Sequence, residues 1–350
     1  MDETDITDIE GPAPRRIAQA FARALELARA HEGATAPNPP VGCVLLDAAG
    51  AELAAGAHRR AGTPHAEALA IAAARQSGVV GQIHTAIVTL EPCNHHGRTP
   101  PCAEALLATP ARQIWIACRD PNPEVGGGGA ERLMAEGRRV RMLTDLPHPD
   151  APVLAADAAR LIAPFCKHII AGLPFITVKQ ALSATGSMIP PPGRKTFTAP
   201  SSLALAHSLR RRADAILTGS GTILADDPHF TVRLVADHPG KRRLLVILDR
   251  RRRVHSDYLD AARQRGFEVR HEDDLHAALA RIADWGAMEV LVEAGPALTS
   301  SLLATALWDE HILIEQASGP DGADLVTTRR RAAEPHPHPH EKDSHVFWHY

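Results

Sequence analysis

The sequence predicts an α/β protein made of two successive α/β units. Three observations carry this expectation. The chain has 350 residues, more than one hydrophobic core usually organises. Short runs rich in Val, Ile and Leu alternate with helical apolar spacing along most of its length. The stretch "TDLPHPDAP" (144–152) breaks that alternation with proline and polar residues, as a boundary does.

The first unit is expected over residues 1–148, with 1–14 outside the folded core. Residues 15–32 carry apolar side chains at helical spacing. "VGCVLLD" and "AELAAGA" read as a strand pair around a turn at 48–50. Residues 66–76 form an Ala-rich helix closed by Ser77 and Gly78. "TAIVTL" and "QIWIAC" are short, fully apolar strands, with a Cys-containing loop and a helix at 102–108 between them. "GGGGAERLMAEG" opens loosely and becomes a helix, and "RRVRML" closes the unit as a strand. The order is β, β, α, β, α, β, α, β after a leading helix: a three-layer unit.

The second unit is expected over 149–330. A helix at 153–171 leads it. "PFITVKQAL", "DAILTG", "RRLLVILD", "FEVR", "MEVLVE" and "EHILIE" follow as strands separated by helical patterns, predicting a mostly parallel sheet. The ending "RRRAAEPHPHPHEKDSHVFWHY" shows no core periodicity, and residues 331–350 are expected to be a His- and Pro-rich solvated tail.

Charge narrows the function classes. Thirty-eight basic against 41 acidic residues leave a formal charge of −3, so nothing points to nucleic acid or an anionic membrane as partner. No apolar run is long enough to span a bilayer. "MDETDITDIE" does not read as a signal peptide, and five Cys without one predict a cytoplasmic protein. There, Cys serves as metal ligand, nucleophile or core filler. Cys43, Cys118 and Cys166 sit within apolar patterns and read as core.

His65, Glu67, Cys93 and Cys102 read differently. Zinc takes N and S ligands tetrahedrally, and a catalytic zinc keeps one position open. His65, Cys93 and Cys102 supply three ligands. Glu67, two residues from the ligand His, is placed to move a proton between the attacking water and the leaving nitrogen without binding metal. This is the H-x-E…P-C…C pattern of zinc deaminases, with Pro92 before Cys93. The Cys residues are separated by eight others, "NHHGRTPP", rather than two, so they come from different elements and the loop is free to shape a pocket. Two other readings stay open at this point: structural thiols, or a structural zinc recruiting a neighbouring His.

"PNPPVGCVL", "GAHRRAGTPHAEALA", "TLEPCNHHGRTPPC" and "RDPNPEVGGGG" closely resemble the deaminase domain of the bifunctional riboflavin-biosynthesis deaminase/reductases. The resemblance implies a cytidine-deaminase-like domain followed by one resembling dihydrofolate reductase. It also implies a substrate, 2,5-diamino-6-(ribosylamino)pyrimidin-4(3H)-one 5′-phosphate, whose 2-amino group is replaced by oxygen. His65, Cys93 and Cys102 carry over as Zn2+ ligands and Glu67 as proton shuttle, while Asn38 and His58 fall in pocket-lining motifs. In the second domain the product's ribosyl group is then reduced by NADPH. By resemblance, Lys179, Ala181, Thr222, Asp226 and Gly295 belong to the cofactor side, and Arg210, Arg233 and Glu293 to the phosphorylated substrate. A homo-oligomer is compatible with this reading.

Several positions depart from the family pattern. Thr185 stands where the family has Asp and Ser187 where it has a basic residue. "GRKTFTA", with Thr196, replaces a Ser- and Trp-containing stretch, Arg250 follows Asp249 in place of Ser, and the closing segment is short. The expectation is a folded second domain whose reduction step runs slower than deamination. The alternatives are a monofunctional deaminase with a non-catalytic reductase-like domain, a zinc deaminase for another base, or a zinc-stabilised scaffold with a His-rich tail.

Overall fold

The computed structural model describes residues 11–95, 100–122, 128–191, 193, 196–317 and 323–331. The chain divides into two compact units, residues 1–170 and 171–350.

In the first unit, α1 (Pro14–Arg29) starts on a proline whose fixed φ suits the first helical turn, and buries Ile17, Phe21, Ala24, Leu25 and Ala28 along one stripe. It lies directly on β1 (Gly42–Leu46): a Cβ at Gly42 would fall 2.0 Å from Ala24 O, so only glycine permits the approach. β2 (Glu52–Ala57), α2 (Ala66–Gln76), β3 (Thr85–Leu90), α3 (Cys102–Leu107), β4 (Gln113–Cys118), α4 (Gly129–Ala135) and β5 (Arg139–Met142) follow in the expected order. The sheet runs β2-β1-β3-β4-β5, with β1 antiparallel to both neighbours and β3, β4 and β5 parallel. Every residue of β3 and β4 is buried, because both faces are covered. On one face Leu45, Val88 and Ile116 meet Ile71, Leu106 and Leu133. On the other, Val44, Ile87 and Trp115 meet α1 and α5 (Ala151–Ala171). Cys43, Cys118 and Cys166 are buried in these apolar clusters.

Two boundaries differ from the sequence reading. Residues 11–14 join the fold, with Pro12 buried and Pro14 opening α1; residues 1–10 lie outside the described ones. The helix assigned to the start of the second unit belongs to the first: Leu154, Ala158, Leu161, Ile162 and Cys166 complete the core under α1, and the chain divides after Ile170. An apolar helical stripe states that a helix is covered, not by which sheet.

The second unit contains β6 (Phe175–Leu182), α6 (Pro200–Arg212), β7 (Ala215–Gly219), α7 (Ser220–Asp226), β8 (Arg243–Leu248), α8 (Ser256–Gln264), β9 (Phe267–Glu272), α9 (Leu275–Asp284), β10 (Glu289–Glu293), α10 (Pro296–Leu303), β11 (Glu310–Glu315) and β12 (Leu325–Arg330). The strand order is β12-β11-β6-β10-β7-β8-β9, parallel except for β12 against β11. Ala278, Ile282 and Leu302 cover one face, and Leu209, Ala213, Ile223 and Ala262 the other. β12 was not expected as a strand, although it lies within the bounds predicted for the second unit and ends at Arg330, where those bounds end. It is an edge strand with little buried surface and therefore no alternating apolar pattern; Arg330 instead pairs with buried Glu310 at 2.6 Å. The tail residues 332–350 lie outside the described ones.

Candidate functional site

In the first unit, three adjoining elements deliver one cluster. His65 is the N-cap of α2, with an extended backbone (φ −70°, ψ 165°) and no capping role for its side chain, which leaves the ring free. Cys93 follows β3, and Cys102 is the first residue of α3. His65 Nδ1 lies 3.3 Å from Cys102 Sγ and 3.5 Å from Cys93 Sγ. The three donor atoms all fall within 4.8 Å of one another. Tetrahedral zinc, with Zn–N near 2.1 Å and Zn–S near 2.3 Å, needs neighbouring donors about 3.6 Å apart. The donor set and its spacing both fit.

The backbone fixes this arrangement. The Cys102 N–H donates to Cys93 Sγ (3.4 Å) and the Ala103 N–H to Cys93 O (3.1 Å). The Cys102 thiol, His65 and the Cys102 N–H together pull the Cys93 thiol down to about 4 against the effect of burial, so the cluster already favours a thiolate. The Cys102 thiol, the proton donor of the pair, is pushed up. Close packing sets the approach of α2: a Cβ at Gly56 would meet Ala66 O at 2.5 Å.

Glu67 sits in the first turn of α2, 3% exposed. Burial pushes its carboxyl up, while the α2 N-terminus, His65 and a hydrogen bond with Cys102 oppose that rise. Asn38 and His58 pair with each other, Asn38 Nδ2 to His58 Nε2 at 3.3 Å, and His58 Nδ1 faces Pro64 O at 3.3 Å. This network describes a neutral ring that donates from Nδ1 and accepts at Nε2. Burial lowers the His58 pKa accordingly. The His58 ring stands edge-on to His65, centroids 5.3 Å apart.

Sequence reasoning missed Glu91 and Gly129. The Glu91 carboxylate accepts from Ala130 N (3.1 Å), Asp120 N (3.4 Å) and Arg119 Nη1 (3.4 Å), tying together the ends of β3 and β4 and the start of α4. A Cβ at Gly129 would lie 1.8 Å from Pro92 O, one residue before Cys93. The "GGGG" run was the available signal. Residues 96–99, inside the Cys loop, lie outside the described ones.

In the second unit, three predicted residues meet at the C-terminal ends of parallel strands. Glu293, 5% exposed at the end of β10, takes Lys179 Nζ from β6 at 3.0 Å and a bidentate Arg210 from α6 at 2.5 and 2.9 Å. Burial alone would raise its pKa, but Lys179 and Arg210 hold the carboxyl well below the usual range. Thr222 and Gly295 also meet: the Gly295 N–H, at the N-cap of α10, donates to Thr222 Oγ1 at 2.8 Å. Arg233 is exposed, with Nη1 donating to Thr231 Oγ1 at 2.6 Å. Ala181 packs in the apolar layer under α6, and Asp226 is exposed at the end of α7; neither is bonded to Glu293. His207, which sequence reasoning passed over, stands three residues before Arg210, a spacing that puts both on one helix face.

The departures fall on ordered structure where they are described. In "SATGS" the Ser183 hydroxyl bonds Thr185 Oγ1 at 3.0 Å and accepts from Ser187 N at 3.1 Å, and Gln316 Oε1 accepts from Ala184 N at 3.1 Å. Thr196 and Thr198 hydroxyls pair at 3.0 Å, and Arg250 is exposed. Residues 194 and 195 of "GRKTFTA", and 318–322 of the closing segment, lie outside the described ones.

Comparison with known proteins agrees with both halves. Residues 15–118 match the model of the cytidine and deoxycytidylate deaminase zinc-binding region, and residues 174–315 that of the RibD C-terminal domain. The riboflavin biosynthesis protein RibD of Escherichia coli is 33% identical over 342 residues, covering 88% of this chain and 90% of the relative. That of Mycobacterium tuberculosis is 34% identical, over 83% of this chain and 81% of the relative. Among solved structures, a diaminohydroxyphosphoribosylaminopyrimidine deaminase/5-amino-6-(5-phosphoribosylamino)uracil reductase from Thermotoga maritima superposes with a TM-score of 0.71 at 29% identity, covering 89% of this chain and 90% of that one. Acinetobacter baumannii RibD gives 0.68 at 29% identity, with 89% and 90% covered. Fold and site thus define a bifunctional enzyme, a zinc-binding deaminase domain joined to a reductase domain. The chain belongs to the RibD family of riboflavin biosynthesis proteins. Among the described residues, no helix is long and apolar enough to cross a membrane.

Proposed function

We propose that this chain deaminates 2,5-diamino-6-(ribosylamino)pyrimidin-4(3H)-one 5′-phosphate and then reduces the ribosyl group of the product with NADPH. The observation that carries the first step is the His65–Cys93–Cys102 cluster with buried Glu67 beside it. His65, Cys93 and Cys102 hold zinc. When bound, zinc lowers the pKa of a coordinated water to about 7 and so supplies a nucleophile at neutral pH. Glu67, whose carboxyl burial pushes up, is suited to take the water's proton and pass it to the departing amino nitrogen. The C–N bond breaks, a C=O bond replaces it, and ammonia leaves. Asn38 and His58, fixed by their mutual bond, line the pyrimidine side.

In the second unit, Arg210 and Arg233 serve the phosphorylated substrate: Arg233 through the paired donors by which guanidinium suits phosphate, and Arg210, whose paired donors are engaged with Glu293, by holding that carboxylate in place. Glu293 and Lys179 face the ribosyl carbon that receives hydride. Thr222, Asp226, Ala181 and Gly295 form the NADPH side; the space beside Gly295 at the α10 N-terminus leaves room for a phosphate, with Thr222 Oγ1 the nearest atom, 3.5 Å from where a Cβ would stand. The intact Glu293 trio supports an active reductase. Thr185, Ser187 and Arg250 support a rate below that of deamination, because small displacements of a reacting centre are costly. The test is to supply the deaminase substrate with and without NADPH. Ammonia release with transient accumulation of the deaminated intermediate is expected. No ammonia release overturns the reading, and NADPH oxidation keeping pace with ammonia overturns the slower second step.

A further inference from the structure

We infer that His207 is a positioning residue for the reductase: its Nδ1 holds the backbone of Arg233 and thereby aims that guanidinium at the substrate phosphate. The inference rests on the reading of Arg233 as a phosphate contact. The segment that carries Arg233 is strained. Asp227 (φ +40°) and Phe230 (φ +55°) both occupy the left-handed region without being glycine. Such a backbone persists only where its surroundings hold it. Phe230, 2% exposed, lies under the Arg210 guanidinium, 5.8 Å from ring centroid to Cζ. Arg210 Nη1 donates to Thr231 O at 3.4 Å, and Tyr258 Oη donates to Pro228 O at 2.6 Å.

The bond nearest Arg233 is the one His207 accepts. The Arg233 N–H donates to His207 Nδ1 at 2.8 Å, and the Leu234 N–H approaches the same atom at 3.5 Å. His207 is 5% exposed, so water does not readily replace it. The Arg233 side chain is tethered to Thr231 Oγ1. Without Nδ1, the segment relaxes at the residue meant to meet phosphate.

The same bond fixes the protonation state. Nδ1 accepts only in the neutral ring with the proton on Nε2. Burial lowers the His207 pKa. Arg210 from its own helix, Arg233 from the loop and Lys179 from β6 act in the same direction, and Glu293 from β10 opposes them. On acidification the ring gains a proton, loses its acceptor and places a second positive charge against Arg233. Phosphorylated-substrate binding then weakens.

The test uses the full chain with the deaminated, phosphorylated substrate, NADPH oxidation as readout and pH varied from 5 to 8. His207→Leu removes the acceptor; His207→Asn keeps one near the position of Nδ1. His207→Leu is expected to raise KM about tenfold, the effect of one lost buried hydrogen bond, with a smaller change in kcat. His207→Asn is expected to restore KM and to flatten its rise below about pH 6. The substrate phosphate titrates in the same range, but identically for wild type and His207→Asn, so their difference is the signal. NADPH binding and ammonia release, unchanged in both variants, report an intact fold. Equal impairment of the Leu and Asn variants, or an unchanged KM in both, overturns the inference. Arg233→Gln separates the layers. If it raises KM while His207→Leu does not, the positioning role alone fails. If it leaves KM unchanged, the phosphate reading of Arg233 fails, and the inference with it.

Discussion

Glu67 and Glu293 are a matched pair with opposite behaviour. Each is a carboxylate at the heart of its unit's site, 3% and 5% exposed. Burial pushes both upward, and only one stays there. Around Glu67 the opposing influences are modest: a helix N-terminus, one imidazole and one thiol. Glu293 is clasped by Lys179 and a bidentate Arg210, and its carboxyl is held low. Equal burial therefore decides nothing by itself; the charge brought within bonding distance does. A carboxyl poised upward suits proton transfer, and one locked as an anion suits orienting cations and substrate hydroxyls.

The comparison is sharpened most by removing the metal ligands. Cys93→Ser or Cys102→Ser should lose bound zinc and ammonia release together, down to the uncatalysed background, since a hydroxyl replaces thiolate poorly. Metal analysis alongside both assays checks this, and NADPH-dependent reduction of pre-deaminated substrate should persist. Next comes Glu67→Gln. Zinc should stay at full occupancy while deamination falls by about 10²–10⁴-fold, the usual contribution of general acid–base catalysis. Turnover close to wild type would remove Glu67 from the proton path.

Gly129→Ala tests whether the first site depends on residues beyond its ligands. The added methyl would press on Pro92 O and shift Cys93. Deamination should drop by roughly 10²-fold, the cost of a misplacement near 1 Å, with weaker zinc retention. The smallest effect concerns charge in the second unit. Glu310, 2% exposed, is buried, but Arg212 and Arg330 hold its carboxyl low, as Lys179 and Arg210 do for Glu293. A carboxylate lowered in the folded state stabilises the fold above its unfolded pKa, near 4.3, and that contribution is lost as pH falls further. The second unit should therefore melt at lower temperature below about pH 5. Glu310→Gln should cost about 2 kcal/mol at pH 7 and shallow that acid slope. A slope unchanged in calorimetry would assign the acid sensitivity elsewhere.

The first site was largely legible because its residues lie close together in the sequence. Residues 65–102 run from the start of α2 through β3 to the start of α3, so their order and spacing pointed to His65, Glu67, Cys93 and Cys102 as one cluster. The second was legible mainly through resemblance. Lys179, Arg210 and Glu293 come from separate elements, and nothing local marks them as partners. His207 shows the limit: its spacing from Arg210 was readable, but its bond to a backbone N–H 26 positions away was not.

By itself the sequence determined the order of elements, the apolar stripes and strands, and the candidate metal-ligand set, because these follow from local periodicity and from the chemistry of His and Cys. Tertiary structure alone decided that α5 completes the first core, that β12 caps the second sheet through Arg330 and Glu310, and that two equally buried glutamates are driven opposite ways. The reason is common to all three. Helical stripes, edge strands and buried carboxylates each take their role from what packs against them, and those neighbours are distant in sequence.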